Sequence, residues 1–443
     1  MKVRTSDNGL SRFCDFDKTH VWHPYASLKD PPPVRLARAA KGVEIELADG
    51  RRLIDAVSSW WCVAHGHNHP AIVEAIRRQS ERMCHVMFGG FTHEPAVELA
   101  ERLAAFAPPG LDRVFFADSG SISVEVAAKM AVQYQRAKGC PGRAKLAALK
   151  GGYHGDTSLA MALSDPDGMH VLFHDIMTHH FFAEKPSVPF GGEWDAADFA
   201  SMLRTVEAHA NEIAAVICEP IFQAANAMNF YHAQYLRELR RLCDAKGILL
   251  IFDEIAAGLH RTGPRWAQDH AGVAPDIMTV GKALTGGHIT LAATLASAEV
   301  AETISNGTPS AFMHGPTYMA NPLACAAACA SLDLFAAADY AANVQRIEAQ
   351  FWDALSPLVG LPNVADVRVL GAVAVVEAKR LPARADIERV IDAHGVWLRP
   401  FCNYIYAMPP LVSDKTTIAR IAAAIADLAA CPPGPPQDGD FHE

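Results

Sequence analysis

Several apolar stretches of this chain run directly into polar residues that would be costly to bury, and those residues could do chemistry. Residues 214–218 end at Glu219, residues 249–252 at Asp253 and Glu254, and residues 277–280 pass through Gly281 into Lys282. In open α/β sheets ligands bind outside the carboxyl ends of the strands, so carboxylates and a lysine there suggest a site. A structural ion pair at the sheet edge is the competing reading. A further stretch, 114–116, leads into Ala117-Asp118-Ser119-Gly120-Ser121 and then a helical pattern. Small residues at a helix start let backbone N–H groups approach an anion, and the helix dipole favours negative charge there. Alone, this is equally an ordinary N-capped helix. Neither G-x-x-x-x-G-K-[ST] nor G-x-G-x-x-G is present, so ATP and dinucleotides lose ground.

A phosphate cradle, a strand-end lysine and a strand-end aspartate together meet the needs of pyridoxal 5′-phosphate. The lysine amine condenses with the aldehyde. The aspartate keeps the pyridine nitrogen protonated, so that the ring can accept electrons. Tyr153, in Gly151-Gly152-Tyr153-His154-Gly155-Asp156 just past the run 146–149, could supply an aromatic face to the ring.

The elements that would carry these residues alternate. Residues 43–47 and 53–57 suggest two strands joined by a turn at Asp49-Gly50. Residues 94–106 are helix-like, and Val124, Ala127, Ala128 and Ala131 recur at helical spacing. The run 291–296 adds another strand, and 235–245 is helical. Strands alternating with helices predict a mostly parallel sheet covered on both faces. A long helical stretch over 322–355 precedes strands at 367–376, a helix at 385–394 and a strand at 396–398. We expect residues 1–69 to contribute to a small α+β domain, 70–335 to form the large domain, and 336–431 to complete the small one. Residues 1–20 are expected to form a loose arm, and the Pro-, Gly- and Asp-rich segment 432–443 a disordered tail.

Composition narrows the function. The formal net charge of −10 argues against a general nucleic-acid or anionic-membrane binder. No apolar run reaches the ~20 residues of a membrane span. The ten cysteines include no C-x-x-C pair, and no secretory leader is evident, which suits a reducing cytoplasm. Cys325 and Cys329 read as small buried side chains. His65, His67 and His69 could form a zinc set, but the intervening Gly66, Asn68 and Pro70 indicate a turn. His179-His180 reads as surface or packing. Of the adjacent Trp60 and Trp61, one is expected in a pocket and one in the core.

The stretch Ile251-Phe252-Asp253-Glu254-Ile255, then Arg261-Thr262-Gly263, then Gly281-Lys282-Ala283-Leu284-Thr285-Gly286-Gly287 resembles the signature of class III aminotransferases of PLP fold type I. That resemblance implies a large domain with a mostly parallel seven-stranded sheet, a smaller α+β domain and a homodimer. Trp22-His23-Pro24-Tyr25, Ser58-Ser59-Trp60-Trp61, His314-Gly315-Pro316-Thr317 and Arg399-Pro400-Phe401 with Tyr406 resemble the biotin-pathway branch of the family. For that branch the implied substrates are 8-amino-7-oxononanoate and, as amino donor, S-adenosyl-L-methionine; the alternatives are lysine as donor, or another class III ω-amino acid aminotransferase. Lys282 would carry the cofactor, Asp253 would hold its ring nitrogen, and Gly120 and Ser121 its phosphate. Pro316 and Thr317 would complete the phosphate cup from the other subunit. Tyr153 would stack on the ring and touch substrate. Trp60, Gly315, Arg399 and Tyr25 would line the substrate pocket, the Arg399 fork suiting a carboxylate. Asn226-Ala227, His260 and Ala320 stand where relatives often carry glycine, a departure that bears on the loop shapes near the pocket.

Overall fold

The computed structural model describes residues 7–29, 31–225 and 228–435. Its centre is a seven-stranded sheet in the order Leu111–Ala117, Ala292–Ser297, Ile277–Val280, Leu249–Asp253, Ile213–Cys218, Lys145–Leu149, Phe181–Ala183. Ala292–Ser297 runs antiparallel to both of its neighbours, and the other pairings are parallel. Every residue of Ile213–Cys218 and Leu249–Asp253 is buried, as expected for strands covered on both faces. Strand alternation divides their side chains. Ala215, Ile217 and Ile251 pack with Val124, Ala127 and Ala131 of the helix Gly120–Ala137. Val216, Cys218, Leu250 and Phe252 pack with Leu236 and Leu239 of the helix Gln234–Lys246.

Smaller sheets accompany this one, among them a two-stranded pair of Phe222–Gln223 with Asn229–Phe230. The strands Glu44–Leu47 and Arg52–Asp55 form the hairpin predicted at Asp49-Gly50, with Gly50 at φ +89°. Ala37–Lys41 extends it on one side. On the other side Val396–Trp397 pairs in parallel, Trp397 opposite Asp55. Val364–Leu370, Val373–Ala378 and Tyr404–Ala407 make an antiparallel three-stranded sheet, and the helix Lys415–Ala430 follows.

Some local expectations need correction. The stretch expected as a loose arm is helical over Asp7–His20, with Lys18 and His20 in its last turn, where cations favour the helix dipole. The helical stretch 322–355 is two helices, Pro322–Ala337 and Tyr340–Leu355. Asp339 breaks it by accepting a hydrogen bond from the Ala342 N–H at 2.9 Å. The tail is pinned at its start, where the Gly434 N–H donates to Leu381 O at 2.8 Å; residues 436–443 lie outside the described residues. Among the described residues no single helix is long and apolar enough to cross a membrane.

Candidate active site

The parallel strand ends converge as the sequence suggested, and three of them form a buried polar floor. Asp253 is 3 % exposed, and both carboxylate oxygens are held by partners while acceptor capacity remains. One oxygen accepts from the Thr279 hydroxyl and the Ile255 N–H, both at 3.1 Å. The other lies 2.7 Å from His154 Nδ1, which must carry the proton because a carboxylate only accepts. Glu219 accepts from the N–H groups of Tyr153 and Ala224, each at 3.0 Å. Burial pushes its carboxyl up to about 7; His154 opposes the shift and Asp253 adds to it. Lys282 starts the short turn Lys282–Thr285 with φ +45°. Burial pulls its amine below the usual lysine value, against the charges of Asp253 and Glu219. Its Nζ stands 4.4 Å from the centre of the Trp61 ring.

Glu254 does not join this floor. Its carboxylate accepts from the Ala267 and Gln268 N–H groups, both at 3.0 Å, and so holds the turn that follows. Arg261 is structural as well. It is buried and donates to Ala372 O and Pro409 O at 3.2 and 2.8 Å, tying the segment after Asp253 to the three-stranded sheet.

The start of the helix Gly120–Ala137 is built for close approach. Ser119 caps Ile122, so Gly120 and Ser121 present their N–H groups at the open end. Gly155 sits beside them at φ +125°, and a Cβ there would lie 2.0 Å from Ser121 Oγ. Only glycine fits, and the result is a tight concave edge with backbone donors, suited to phosphate. Together with Lys282 and the Asp253 anion, the donor set fits pyridoxal phosphate: a phosphate cradle, a primary amine and a carboxylate partner for a ring N–H.

Above the floor lies a more open mouth. Asp55 ends its strand, and residues Ser58 to Trp61 then take four successive positive φ values of 47, 47, 62 and 71°. This left-handed turn points Trp60 and Trp61 apart. Trp61 is 7 % exposed and lies against Lys282, whereas Trp60 is 43 % exposed. The parallel pairing of Trp397 with Asp55 brings Arg399 to the same end, where its guanidinium sits 4.9 Å from the Trp60 ring centre. Tyr25 meets Trp60 edge-on at 6.3 Å, and its hydroxyl donates to Asp156 at 3.0 Å. Tyr153 bonds both Tyr25 and Asp156 and stacks near His170, which also reaches Asp156 at 2.9 Å.

Gly315, Pro316 and Thr317 are not drawn into this cluster within one chain. Among the described residues their segment lies against the flank of Gly120–Ala137, where His314 Nδ1 is 3.1 Å from Lys129 Nζ. His260 and Ala320 take φ values of +70 and +54°, so these positions have the backbone shape that favours glycine; Asn226 and Ala227 lie outside the described residues. The histidine group is held by packing. His65 bonds Tyr340 and Ser331 at 2.5 and 2.8 Å, His67 bonds Asp55, and His69 caps a helix. His154, Thr279, Asp156, His170 and the part of Trp61 at Lys282 were not singled out from the sequence. Thr279 alone carried a signal, as the one polar residue in the apolar run 277–280.

Comparison with known proteins agrees with this geometry. The family model described as Aminotransferase class-III matches residues 25–428. The chain is 45 % identical to the adenosylmethionine-8-amino-7-oxononanoate aminotransferase of Buchnera aphidicola subsp. Acyrthosiphon pisum, covering 93 % of this chain and 96 % of that one. The protein of the same name from Mycobacterium leprae is 46 % identical over 93 % of this chain and 95 % of its own. The crystal structure of such an aminotransferase from Methanocaldococcus jannaschii superposes with a TM-score of 0.88 at 30 % identity, over 95 % and 99 % of the two chains. A PLP-bound amine transaminase from an uncultivated Pseudomonas species gives 0.85 at 33 %, over 93 % and 99 %. This chain therefore belongs to the class III aminotransferases, a family of fold type I whose cofactor is pyridoxal phosphate.

Proposed function

We propose that the protein moves the amino group of S-adenosyl-L-methionine to 8-amino-7-oxononanoate, giving 7,8-diaminononanoate in biotin biosynthesis. The observation that carries this reading is the combination of a Lys282–Asp253 floor with a mouth made of Trp60, Tyr25 and Arg399. Relatives of 45 and 46 % identity with that activity in their names support it.

In this reading Gly120 and Ser121 hold the cofactor phosphate, Lys282 binds its aldehyde carbon, and Tyr153 packs on its ring. Asp253, fixed by Thr279 and His154, places an anion at the ring nitrogen. When bound, the cofactor supplies an electron-accepting ring for the substrate carbon that bears the amine. Lys282 then acts as the base. Once the substrate amine has replaced it on the cofactor, its Nζ is a free amine that burial biases toward the neutral form, so it would take the proton from that carbon and deliver it to the cofactor carbon it had held. Arg399 pairs with the carboxylate of either substrate. The Trp60 and Tyr25 faces accept a sulfonium in one half-reaction and an alkyl chain in the other. Gly315, which lies outside this cluster within one chain, would line the pocket from the partner copy. The active unit is a homodimer in which Pro316 and Thr317 of one copy close the phosphate cup of the other; in a single chain Pro316 is half-buried and Thr317 exposed, which is consistent with this. We place the protein in the cytoplasm, a reducing compartment that suits ten cysteines with no C-x-x-C spacing.

The test is to supply 8-amino-7-oxononanoate and a panel of amino donors to the purified holoenzyme and measure diamine formation. Product with S-adenosylmethionine is expected. Product with lysine only would overturn the donor, and no product with any donor would overturn the substrate. Mixing inactive Lys282→Ala and Thr317→Ala chains should restore part of the activity. No rescue after confirmed subunit exchange would remove the shared site.

A further inference from the structure

The left-handed turn at Ser58–Trp61 needs bonds to the rest of the chain to hold it. Left-handed backbone costs roughly 1–2 kcal/mol for each non-glycine residue and normally occurs at single positions. Four in succession persist only where surrounding bonds over-determine them. Two side chains provide such bonds. The Ser58 hydroxyl donates to Met408 O at 2.6 Å. Asp55, fully buried, adds to the backbone bonds from Trp61 to Val57 and from Cys62 to Ser58 and to the Cys62 thiol bond to Ser59 O: its carboxylate accepts from the Val57 N–H at 3.3 Å and the Ser59 hydroxyl at 2.7 Å, and it lies 2.9 Å from His67 Nε2.

The Ser59 bond is the one that reaches the substrate side. It fixes the residue directly before Trp60, whose ring faces Arg399 and Tyr25 and has few other restraints at 43 % exposure. A small rotation at Ser59 would swing the indole away from the guanidinium. We propose that Asp55, acting through Ser59, is a positioning residue that sets Trp60 against Arg399 and so determines affinity for the keto acid. This rests on the pocket reading given above. Asp55 touches no substrate itself; it shapes the wall that does.

The experiment compares kcat, KM for 8-amino-7-oxononanoate and melting temperature in the wild-type holoenzyme, Ser59→Ala, Asp55→Asn, Trp60→Ala and the Ser59→Ala/Trp60→Ala pair. Ser59→Ala should raise KM about 10-fold, the scale of one lost hydrogen bond to a charged group. Its kcat should stay within about twofold, because the floor is untouched. Its melting temperature should stay within ~2 °C, as for an exposed side chain. Asp55→Asn should shift KM the same way. The double variant should be no worse than Trp60→Ala alone, because both changes act on one wall. An unchanged KM in Ser59→Ala would overturn the proposal, as would the same KM factor appearing on top of Trp60→Ala. A wild-type KM in Trp60→Ala would instead remove the pocket reading, and the proposal with it.

Discussion

The floor and the mouth of the site are built in opposite ways. In the floor, Asp253, His154 and Glu219 are each under 5 % exposed, and every carboxylate oxygen has a partner at 2.7–3.1 Å. These groups hang from the ends of parallel strands that pack on both faces. In the mouth, Trp60 and Tyr25 are 43 and 66 % exposed and meet through ring faces and edges. They are held by a left-handed turn and a loop. Chemistry common to a family needs fixed charges in a dry place, which a sheet end provides. Substrate choice needs adaptable surface, which loops provide. A variant in the floor should therefore reduce kcat, and one in the mouth should raise KM.

The largest effect is expected for Lys282→Ala. Losing the base should lower kcat by ~10²–10⁴-fold or more and abolish the visible absorption band of the lysine-bound cofactor. An unchanged spectrum would remove Lys282 from the floor. Next, Asp253→Asn should fold, because an amide still accepts from Thr279, yet kcat should fall by about 10²-fold for want of an anion at the ring nitrogen. Retained turnover would break the contrast between the regions. In the mouth, Arg399→Ala should raise KM for both substrates by roughly 10–100-fold, from a charge-assisted bond of about 1.5–3 kcal/mol. A fall in kcat with constant KM would place Arg399 in the floor instead.

The smallest effect sharpens the comparison through pH. Glu219 is raised to about 7 in the folded protein, above its unfolded value, so its contribution to stability is complete at low pH and is lost as pH rises through 7. Thermal melting of the cofactor-free protein should lose stability between pH 5 and 7, at the steepest on the order of 1 kcal/mol per pH unit from this group. Glu219→Gln should flatten that slope. An identical slope in the variant would mean that the floor carries no such strain.

The same contrast decides how much the sequence could reveal. Strand ends are legible because an apolar run meeting a charge is a local pattern, so Glu219, Asp253 and Lys282 stand out from the order of residues alone. Glu254 shows the limit, since its neighbour faces the site while it caps a turn thirteen residues on. The resemblance supplied Trp60, Tyr25 and Arg399, which no local pattern would join. Their meeting depends on Trp397 pairing with Asp55, a contact between distant parts of the chain. His154 and Asp55 escaped notice because their roles lie in what they bond to. The helix Asp7–His20 escaped because its sequence is largely polar, without a clear apolar stripe to mark a buried face.

That single parallel pairing also sets an order of events during synthesis. Residues 52–55 leave the ribosome long before their partner at 396–397 is made. At roughly 5–20 residues per second, the first strand waits many seconds for its mate. The central sheet, whose strands lie between residues 111 and 297, is complete well before then. A nascent chain thus owns its charged strand ends while the tryptophan wall still lacks its arginine. Within residues 1–443, the strand that leads to Arg399 is made after every strand of the central sheet.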